Sequence, residues 1–386
     1  MFELLILWLV FSFFSFGLLG ISFLFMRKSA TKPWQLAIKE NYRPKVSIVV
    51  PTYNESNVIG LKLENLSKIE YPKELAQIII IDSNSNDQTV EIAQSFAEIH
   101  PKMNIQILTE NKRRGKSAAL NVALKNCGGD VIIVSDADCF WPSDILKRAL
   151  PYLYDSGVGA VSGPKILLNA AASWVTRTEN SYLNSMNLMK LGQSKLCSTL
   201  FFEGGFSAYK KEALASFDPY STGSDDCGTI ITLAEKKLRA LLLPEAQFYT
   251  TFPETWRGKF SMKIRRANQL VRVFWRYLSL LVGGRISFSR AVIIQSILNY
   301  LLGPLMFFAL VIITVLLLLS SPYFALFFLV MLIPKVRVYF LEAVQNYLIL
   351  LLSIFSVVVN KRFLVWSQPK DRSLLDRKLL QQYSLI

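Results

Sequence analysis

Val131-Ile-Ile-Val-Ser-Asp-Ala-Asp-Cys-Phe140 decides how this chain is read. Four β-branched apolar residues in succession predict a strand buried on both faces, and the run stops at two carboxylates, Asp136 and Asp138, one residue apart. A buried strand that delivers acids to its own C-terminal end fits an open α/β sheet, where ligands bind along that edge. Two carboxylates spaced by a small residue suit a hard divalent cation that keeps positions open for phosphate oxygens. Taken alone, the stretch is equally a strand running into an acidic turn, since Asp is common in turns. Its flanks have to decide.

Upstream, the same pattern occurs three times. A strand over 46–50 breaks at Pro51-Thr-Tyr-Asn-Glu-Ser56 ahead of an amphipathic helix over 58–68. A second strand, 77–81, ends in Asp82-Ser-Asn-Ser-Asn-Asp87 ahead of a helix over 88–100. A third, 105–108, leads into Asn111-Lys-Arg-Arg-Gly-Lys-Ser117 and a helix rich in alanine and leucine. Three βα units followed by strand 131–134 predict a parallel sheet with right-handed crossovers, which sets Asp82, the Lys116 loop and Asp136/Asp138 on one rim. Asn54, Glu55 and Ser56 suit the start of a helix, whose free N–H groups favour anions; a plain cap is the alternative.

Downstream the pattern loosens. Ala160-Val-Ser162 is a weaker strand, 174–192 reads as a helix, and Thr199-Leu-Phe-Phe202 reads as a strand ending in Glu203-Gly204-Gly205. Paired glycines there either admit a ligand close to the backbone or form a tight turn. Gly223-Ser-Asp-Asp-Cys-Gly228 precedes a helix over 229–237, and its acids, Asp225 and Asp226, are either helix caps or a functional pair.

Hydrophobic residues make up 52% of the chain, high for a soluble protein, and they are concentrated. Residues 1–28 predict a transmembrane helix, almost wholly apolar to Met26 and closed by Arg27 and Lys28; a secretory signal peptide carries its charges before the apolar core, so an uncleaved anchor is expected. A connector over 29–45 and a cytosolic domain over 46–255 follow. Over 256–288 the residues Phe260, Ile264, Ala267, Val271, Phe274, Leu278 and Leu281 recur at steps of three and four, which predicts an amphipathic interfacial helix. Its Lys259, Lys263, Arg266 and Arg276 fall on other faces, toward lipid phosphates or an anionic ligand. Residues 289–359 form a C-terminal transmembrane and interfacial region, and 360–386 a basic cytosolic tail. Within that region 291–320 is a second span, and 322–336 reaches about 22 Å at 1.5 Å per residue, marginal for a return crossing. Lys335 and Arg337 would then be cytosolic. The stretch 339–359 is expected to be interfacial or re-entrant, because a crossing there would carry Lys361, Arg362, Lys370 and Arg372 to the outer side.

The net charge of +15 lies mostly beside these apolar segments, the pattern of cytosolic flanks attracted to anionic membrane lipids. It does not form a nucleic-acid-binding stripe. Cys127, Cys139, Cys197 and Cys227 have no close paired spacing, which argues against a zinc knuckle and for reduced thiols. With His100 as the only histidine, a Ser-His-Asp triad and a histidine-held metal are both improbable. A metal here has to be held by carboxylates and substrate oxygens.

Together these motifs resemble the family 2 glycosyltransferases, in particular the membrane-embedded branch that includes cellulose and hyaluronan synthases. Pro51-Thr-Tyr-Asn-Glu55 is similar to the opening loop, Asp82–Asp87 to the nucleotide-binding acidic motif, Asn111 with Gly115-Lys116 and Ala119-Leu-Asn121 to the next loop, and Asp136-Ala-Asp138 to the metal motif. The resemblance implies a GT-A-like α/β domain with a mostly parallel sheet, joined to transmembrane and interfacial helices. It implies a nucleotide-sugar site formed by Pro51, Tyr53, Glu55, Asp82, Lys116, Asp136 and Arg265, with Asp82 on the base and Lys116 and Arg265 on the diphosphate of a UDP- or GDP-linked donor. Asp138 would anchor Mg2+ or Mn2+, with Asp136 nearer the ribose. Ser224-Asp225-Asp226 resembles the Thr-Glu-Asp motif, which makes Asp226 the expected catalytic base and Asp225 the reserve, in an inverting displacement. Glu203, Gly204 and Gly205 resemble the acceptor-binding segment.

One stretch departs from the pattern. Processive synthases carry Gln-x-x-Arg-Trp on the interfacial helix, whereas Met262-Lys-Ile-Arg-Arg266 keeps Arg265 and lacks the Gln and the Trp. Transfer of one or a few sugars to a lipid-linked or membrane-proximal acceptor is therefore expected. The alternatives are a polyprenyl-phosphate sugar synthase, a processive polysaccharide synthase, and a membrane scaffold that binds nucleotide-sugar without turnover.

Overall fold

The computed structural model describes residues 1–286, 289–363 and 375–386. Helix α1, Phe2–Ala30, contains a π turn at Phe13–Gly17. There follow β1 (Val46–Thr52), α2 (Ile59–Ser67), β2 (Ala76–Asp82), α3 (Thr89–Ile99), β3 (Asn104–Thr109), α4 (Lys116–Leu124) and β4 (Val131–Val134). β1 pairs in parallel with β2 and β4, and β2 pairs in parallel with β3, so the three βα units form as the sequence predicts. Because these strands are apolar at successive positions, each has two faces to cover. Ile48, Val50, Ile78, Ile80 and Ile133 enter one core; Val49, Ile79, Ile81, Ile132 and Val134 enter the other.

The second half adds α5 (Ile145–Ala149), β5 (Val158–Ser162), β6 (Lys165–Leu167), α6 (Trp174–Leu196), β7 (Ser207–Lys210), α7 (Cys227–Glu235), β8 (Arg239–Leu242) and β9 (Phe248–Thr250). The main sheet runs β3-β2-β1-β4-β7-β5-β8, with β7 antiparallel to both neighbours, while β6 and β9 form a separate parallel pair. The architecture is thus a mostly parallel α/β sheet. The strand expected over 199–202 is a loop, and β7 lies further on. Phe201 and Phe202 are apolar because they pack against Phe274 and Tyr209 as buried loop side chains, not because they join a ladder.

Helix α8, Trp256–Val282, matches the predicted amphipathic segment, whose last residues, 287–288, lie outside the described residues. It lies between the α/β domain and the apolar helices. Ala267 and Val271 pack with Phe307 and Tyr347, and Phe274 and Tyr277 pack with Ile231. Two of the basic residues expected toward lipid phosphates or an anionic ligand face carboxylates of the protein itself. Lys259, 1% exposed, sits 3.4 Å from Glu179 and 3.0 Å from Glu342, and Lys263 joins the same acids at 2.9 and 3.3 Å. A charge this deep persists only when paired.

Helices α9 (Arg290–Ser320) and α10 (Pro334–Val358) follow, and α1, α9 and the Val336–Val358 part of α10 are each long and apolar enough to cross a membrane. After residue 321 the helices are divided differently from the expected segments. Pro322–Leu332 is a 3-10 helix that ends before Pro334, and the stretch expected to be interfacial or re-entrant lies within one continuous helix that ends at Val358. Glu342, inside that helix, is paired with Lys259 and Lys263. The Lys335 side chain, Lys370 and Arg372 lie outside the described residues.

Two contacts fasten these helices to the α/β domain. Gly192 of α6 faces the backbone of α1 so closely that a Cβ would lie 2.2 Å from the Met26 carbonyl oxygen. The described end of the expected cytosolic tail is docked: α11 (Arg377–Gln382) buries Leu380, Arg377 pairs with Glu64 at 2.6 Å, and Asn65 donates to the Leu385 carbonyl at 2.7 Å.

Candidate active site

The C-terminal ends of β1, β2 and β4 and the start of α4 open onto a cavity of about 1370 Å³. Pockets for one small ligand measure about 300–1000 Å³. From the sheet it extends past α8 to apolar walls on α1, α6 and α10, where Phe16, Phe23, Met189 and Leu350 line it.

β4 ends at Val134, and the next residues are tied down. The Asp136 N–H donates to the Gly204 carbonyl at 2.9 Å, and Ser135 Oγ and Trp141 Nε1 both donate to the Gly205 carbonyl at 3.2 and 2.7 Å. Beneath this loop Lys62, fully buried, donates to the Cys139 carbonyl at 2.6 Å with its amine 4.2 Å from the centre of the Trp141 ring. Burial lowers that amine to about 7 despite the acids nearby. Candidate ligand atoms of Asp136, Asp138 and Cys139 lie within 4.8 Å of one another. The two carboxylates fit Mg2+ or Mn2+, which prefer oxygen; the buried Cys139 thiol does not add to that preference.

Lys116, the first residue of α4, reaches across the site to Asp136 at 2.7 Å and to Asp225 at 2.8 Å. Burial opposes its charge, but Asp136, Asp225 and Asp226 outweigh burial and hold the amine above its ordinary range. In turn Lys116 outweighs burial at Asp136 and keeps that carboxyl below the usual range. Asp225 goes the other way: burial, reinforced by Asp226 and Asp136, pushes it up to about 6 against the pull of Lys116. Asp226 caps α7, its Oδ1 accepting from Ser224 Oγ at 2.5 Å and from the Cys227 N–H at 2.6 Å. Its Oδ2 makes no hydrogen bond with a described residue, and the residue lines the cavity. The loop before it is shaped by Asp218, which accepts from the N–H groups of Thr222 and Gly223 at 2.9 and 2.7 Å.

Gly204 allows this convergence. A Cβ there would lie 2.5 Å from Lys116 Nζ and 2.7 Å from Asp136 Oδ2. Both side-chain tips can swing aside at little cost to stability, but only by giving up their ion pair. Gly204→Ala is therefore expected to lower kcat about 10- to 100-fold with little change in Tm, the scale of a catalytic group displaced by about 1 Å. Steady-state kinetics beside a thermal melt checks this.

Of the residues expected from the sequence, Pro51, Tyr53, Glu55, Lys116, Asp136, Asp138, Glu203, Gly204, Gly205, Asp225, Asp226 and Arg265 all line the one cavity. Asp82 does not. It lies at the end of β2, 2% exposed, accepting from Thr52 Oγ1 at 3.0 Å and from the N–H and Oγ of Ser85 at 2.8 and 2.6 Å. Glu203 faces away from Lys116 toward Lys165, its ion-pair partner, and Lys190 at 2.8 Å. These amines overcome burial and hold Glu203 well below the carboxylate range. Lys62, Glu179, Lys165 and Lys190 escaped the sequence reading. Their only signal is a charged residue on an otherwise apolar face, which solvated positions share.

Residues 44–269 match a family model described as Glycosyltransferase like family 2. Among solved structures, the chain is similar to the mannosyltransferase PcManGT from Pyrobaculum calidifontis in complex with GDP-Man and Mn2+. The TM-score is 0.80 and the identity 26%, over 93% of this chain and 100% of that one. It is 31% identical over 252 residues to the probable glycosyltransferase YdaM of Bacillus subtilis, covering 62% of this chain and 58% of the relative. It is also 33% identical over 138 residues to the beta-monoglucosyldiacylglycerol synthase of Synechocystis, covering 36% and 29%. The chain thus spans less than two thirds of the length of these two relatives.

Proposed function

The chain belongs to glycosyltransferase family 2, and from that premise we propose that it transfers one or a few sugars from a UDP- or GDP-linked donor to a hydroxyl of a lipid-linked or membrane-proximal acceptor, with inversion. The observation that carries this reading is the cavity's continuity from the acids at the end of β4 to apolar walls on helices that can cross a membrane. A soluble acceptor has no use for the second half of that space. The same helices favour the cell membrane, with the α/β domain on its cytosolic side beside the basic residues of α8.

In this reading Pro51, Tyr53 and Glu55 border the nucleotide, and Asp82 acts beneath it by fixing the Thr52 and Ser85 segments. Lys116 and Arg265 meet the diphosphate, while Asp136 and Asp138 hold Mg2+ or Mn2+. A divalent cation there supplies positive charge against the departing nucleoside diphosphate. Asp226 takes the proton of the attacking hydroxyl through its Oδ2, and attack from the side opposite the leaving group inverts the anomeric carbon. Glu203, Gly204 and Gly205 border the acceptor. The printed names of the relatives support a donor of this kind and a membrane-lipid product.

The acidity of Asp225 adds a pH signature. Its carboxyl is neutral below about 6 and ionised above it, and only the anion pairs with Lys116. We expect kcat/KM to rise with pH through about 6 and then level, falling about tenfold per unit on the acid side. A flat profile between pH 5 and 7 would remove Asp225 from the working site.

The decisive experiment offers purified protein a panel of nucleotide-sugars with Mn2+ and a membrane lipid extract, and identifies any glycosylated lipid and its anomeric configuration. A β-linked product from an α-linked donor is expected. Neither transfer nor metal-dependent donor hydrolysis with any donor would end the proposal.

A further inference from the structure

Past Glu203 the cavity carries more positive charge than it balances. Lys165 and Lys190, 6% and 5% exposed, share the single carboxylate of Glu203. Arg266 acts electrostatically on Glu203 and Lys165 and also on Asp136 at the sheet side, lines the same space, and makes no ion pair or hydrogen bond with a described residue. Next to them Lys259 and Lys263 are matched by Glu179 and Glu342. Five cations therefore meet three carboxylates in this arm. Like charges gathered away from water need an anion. Burial lowers Lys165 despite Glu203, and Arg266 adds to that effect, as expected of a cation held near another cation.

The cluster sits where the cavity changes character. On its sheet side are Lys116, Asp136 and Asp225; on its membrane side are Phe16, Phe23, Met189 and Leu350 from α1, α6 and α10. A ligand passing from one side to the other places a negative group against the cations, a hydrocarbon among the apolar residues and a hydroxyl toward Asp226. Neutral diacylglycerol has no group for the middle position.

We infer that this arm binds an acceptor lipid bearing a phosphate between its hydrocarbon and its accepting hydroxyl, with Arg266, Lys165 and Lys190 on the phosphate and α1, α6 and α10 around the hydrocarbon. The inference rests on the sugar-transfer reading for the hydroxyl alone; the phosphate and hydrocarbon sites are testable without turnover.

The test measures binding to the full chain in detergent by native mass spectrometry, with farnesyl phosphate, farnesol and inorganic phosphate as probes. Farnesyl phosphate is expected to bind at least about tenfold more tightly than either of the others. Arg266→Gln is expected to weaken it about tenfold and Arg266→Lys to restore most of the loss, while the Kd of the Mn2+–nucleotide changes less than about threefold, the residual effect of Arg266 on Asp136. Farnesol binding as well as its phosphate ester overturns the inference. Inorganic phosphate matching the ester shows a site for free anion and overturns it too. If Arg266→Gln weakens the nucleotide instead, the cations serve the donor diphosphate and the inference fails. None of these outcomes bears on whether sugar is transferred, and a failed donor panel leaves the binding result standing.

Discussion

Asp138→Ala is expected to lower both sugar transfer and donor hydrolysis about 10³-fold, the effect of losing several kcal/mol of charge stabilisation at the leaving diphosphate. Asp138 accepts from the Cys139 thiol at 3.5 Å and lines the cavity. The loop's own geometry is held by Asp136 N–H on Gly204, Trp141 on Gly205 and Lys62 on the Cys139 carbonyl. The substitution should therefore remove a ligand without unfolding the loop, and Tm without metal should shift little. Titration with Mn2+, followed by the electron paramagnetic resonance of the free ion, should show weakened binding in step with lost activity. Full activity with normal Mn2+ affinity would place the metal elsewhere; lost activity with normal affinity would give Asp138 a different job.

Asp226→Asn is expected to lower kcat about 10²- to 10⁴-fold while leaving donor affinity and stability near their original values, because general-base catalysis contributes on that scale. The substitution is unusually clean. Asn caps helices as well as Asp does, so the bonds from Ser224 Oγ and the Cys227 N–H to the side-chain oxygen survive. What disappears is the basic Oδ2. Asp225→Asn differs in kind, since it removes an ion pair with Lys116 and should disturb donor binding as well. Retained turnover in Asp226→Asn, together with loss in Asp225→Asn, would exchange the two roles. Retained turnover in both would point to an acceptor that is ionised before it attacks and needs no base.

The half of the molecule that carries the donor side was readable from the sequence because its logic is local. Each apolar run from Val46 to Val134 is long enough to announce a strand, each is followed by polar residues and a helix, and the parallel order follows from the connections. The period of α8 was equally plain. The reading failed where a residue's partner is remote. Ser207-Ala-Tyr-Lys210 is a poor strand by composition, and only the waiting edges of β4 and β5 make it one. Phe201 and Phe202 advertise a strand and instead pack as loop residues. Nothing in the sequence around Glu342 shows that Lys259 and Lys263 are brought beside it. Arg266 was readable as a basic residue facing lipid phosphates or an anionic ligand and as a missing tryptophan, but nothing in its neighbourhood of the chain reveals that Lys165 and Lys190 converge on the same space.

The ion cluster under α8 also bears on how the protein is made. Glu342 follows Lys259 by 83 residues and Lys263 by 79, so both cations and their first partner, Glu179, leave the ribosome before the acid does. A lone ionised side chain at the centre of a membrane helix costs about 3 kcal/mol to insert. Here the chain meets that cost with counter-ions already in position, provided the α/β domain and α8 have folded by the time α10 emerges. Synthesis in this order lets the α/β domain act as the template on which α10 is assembled.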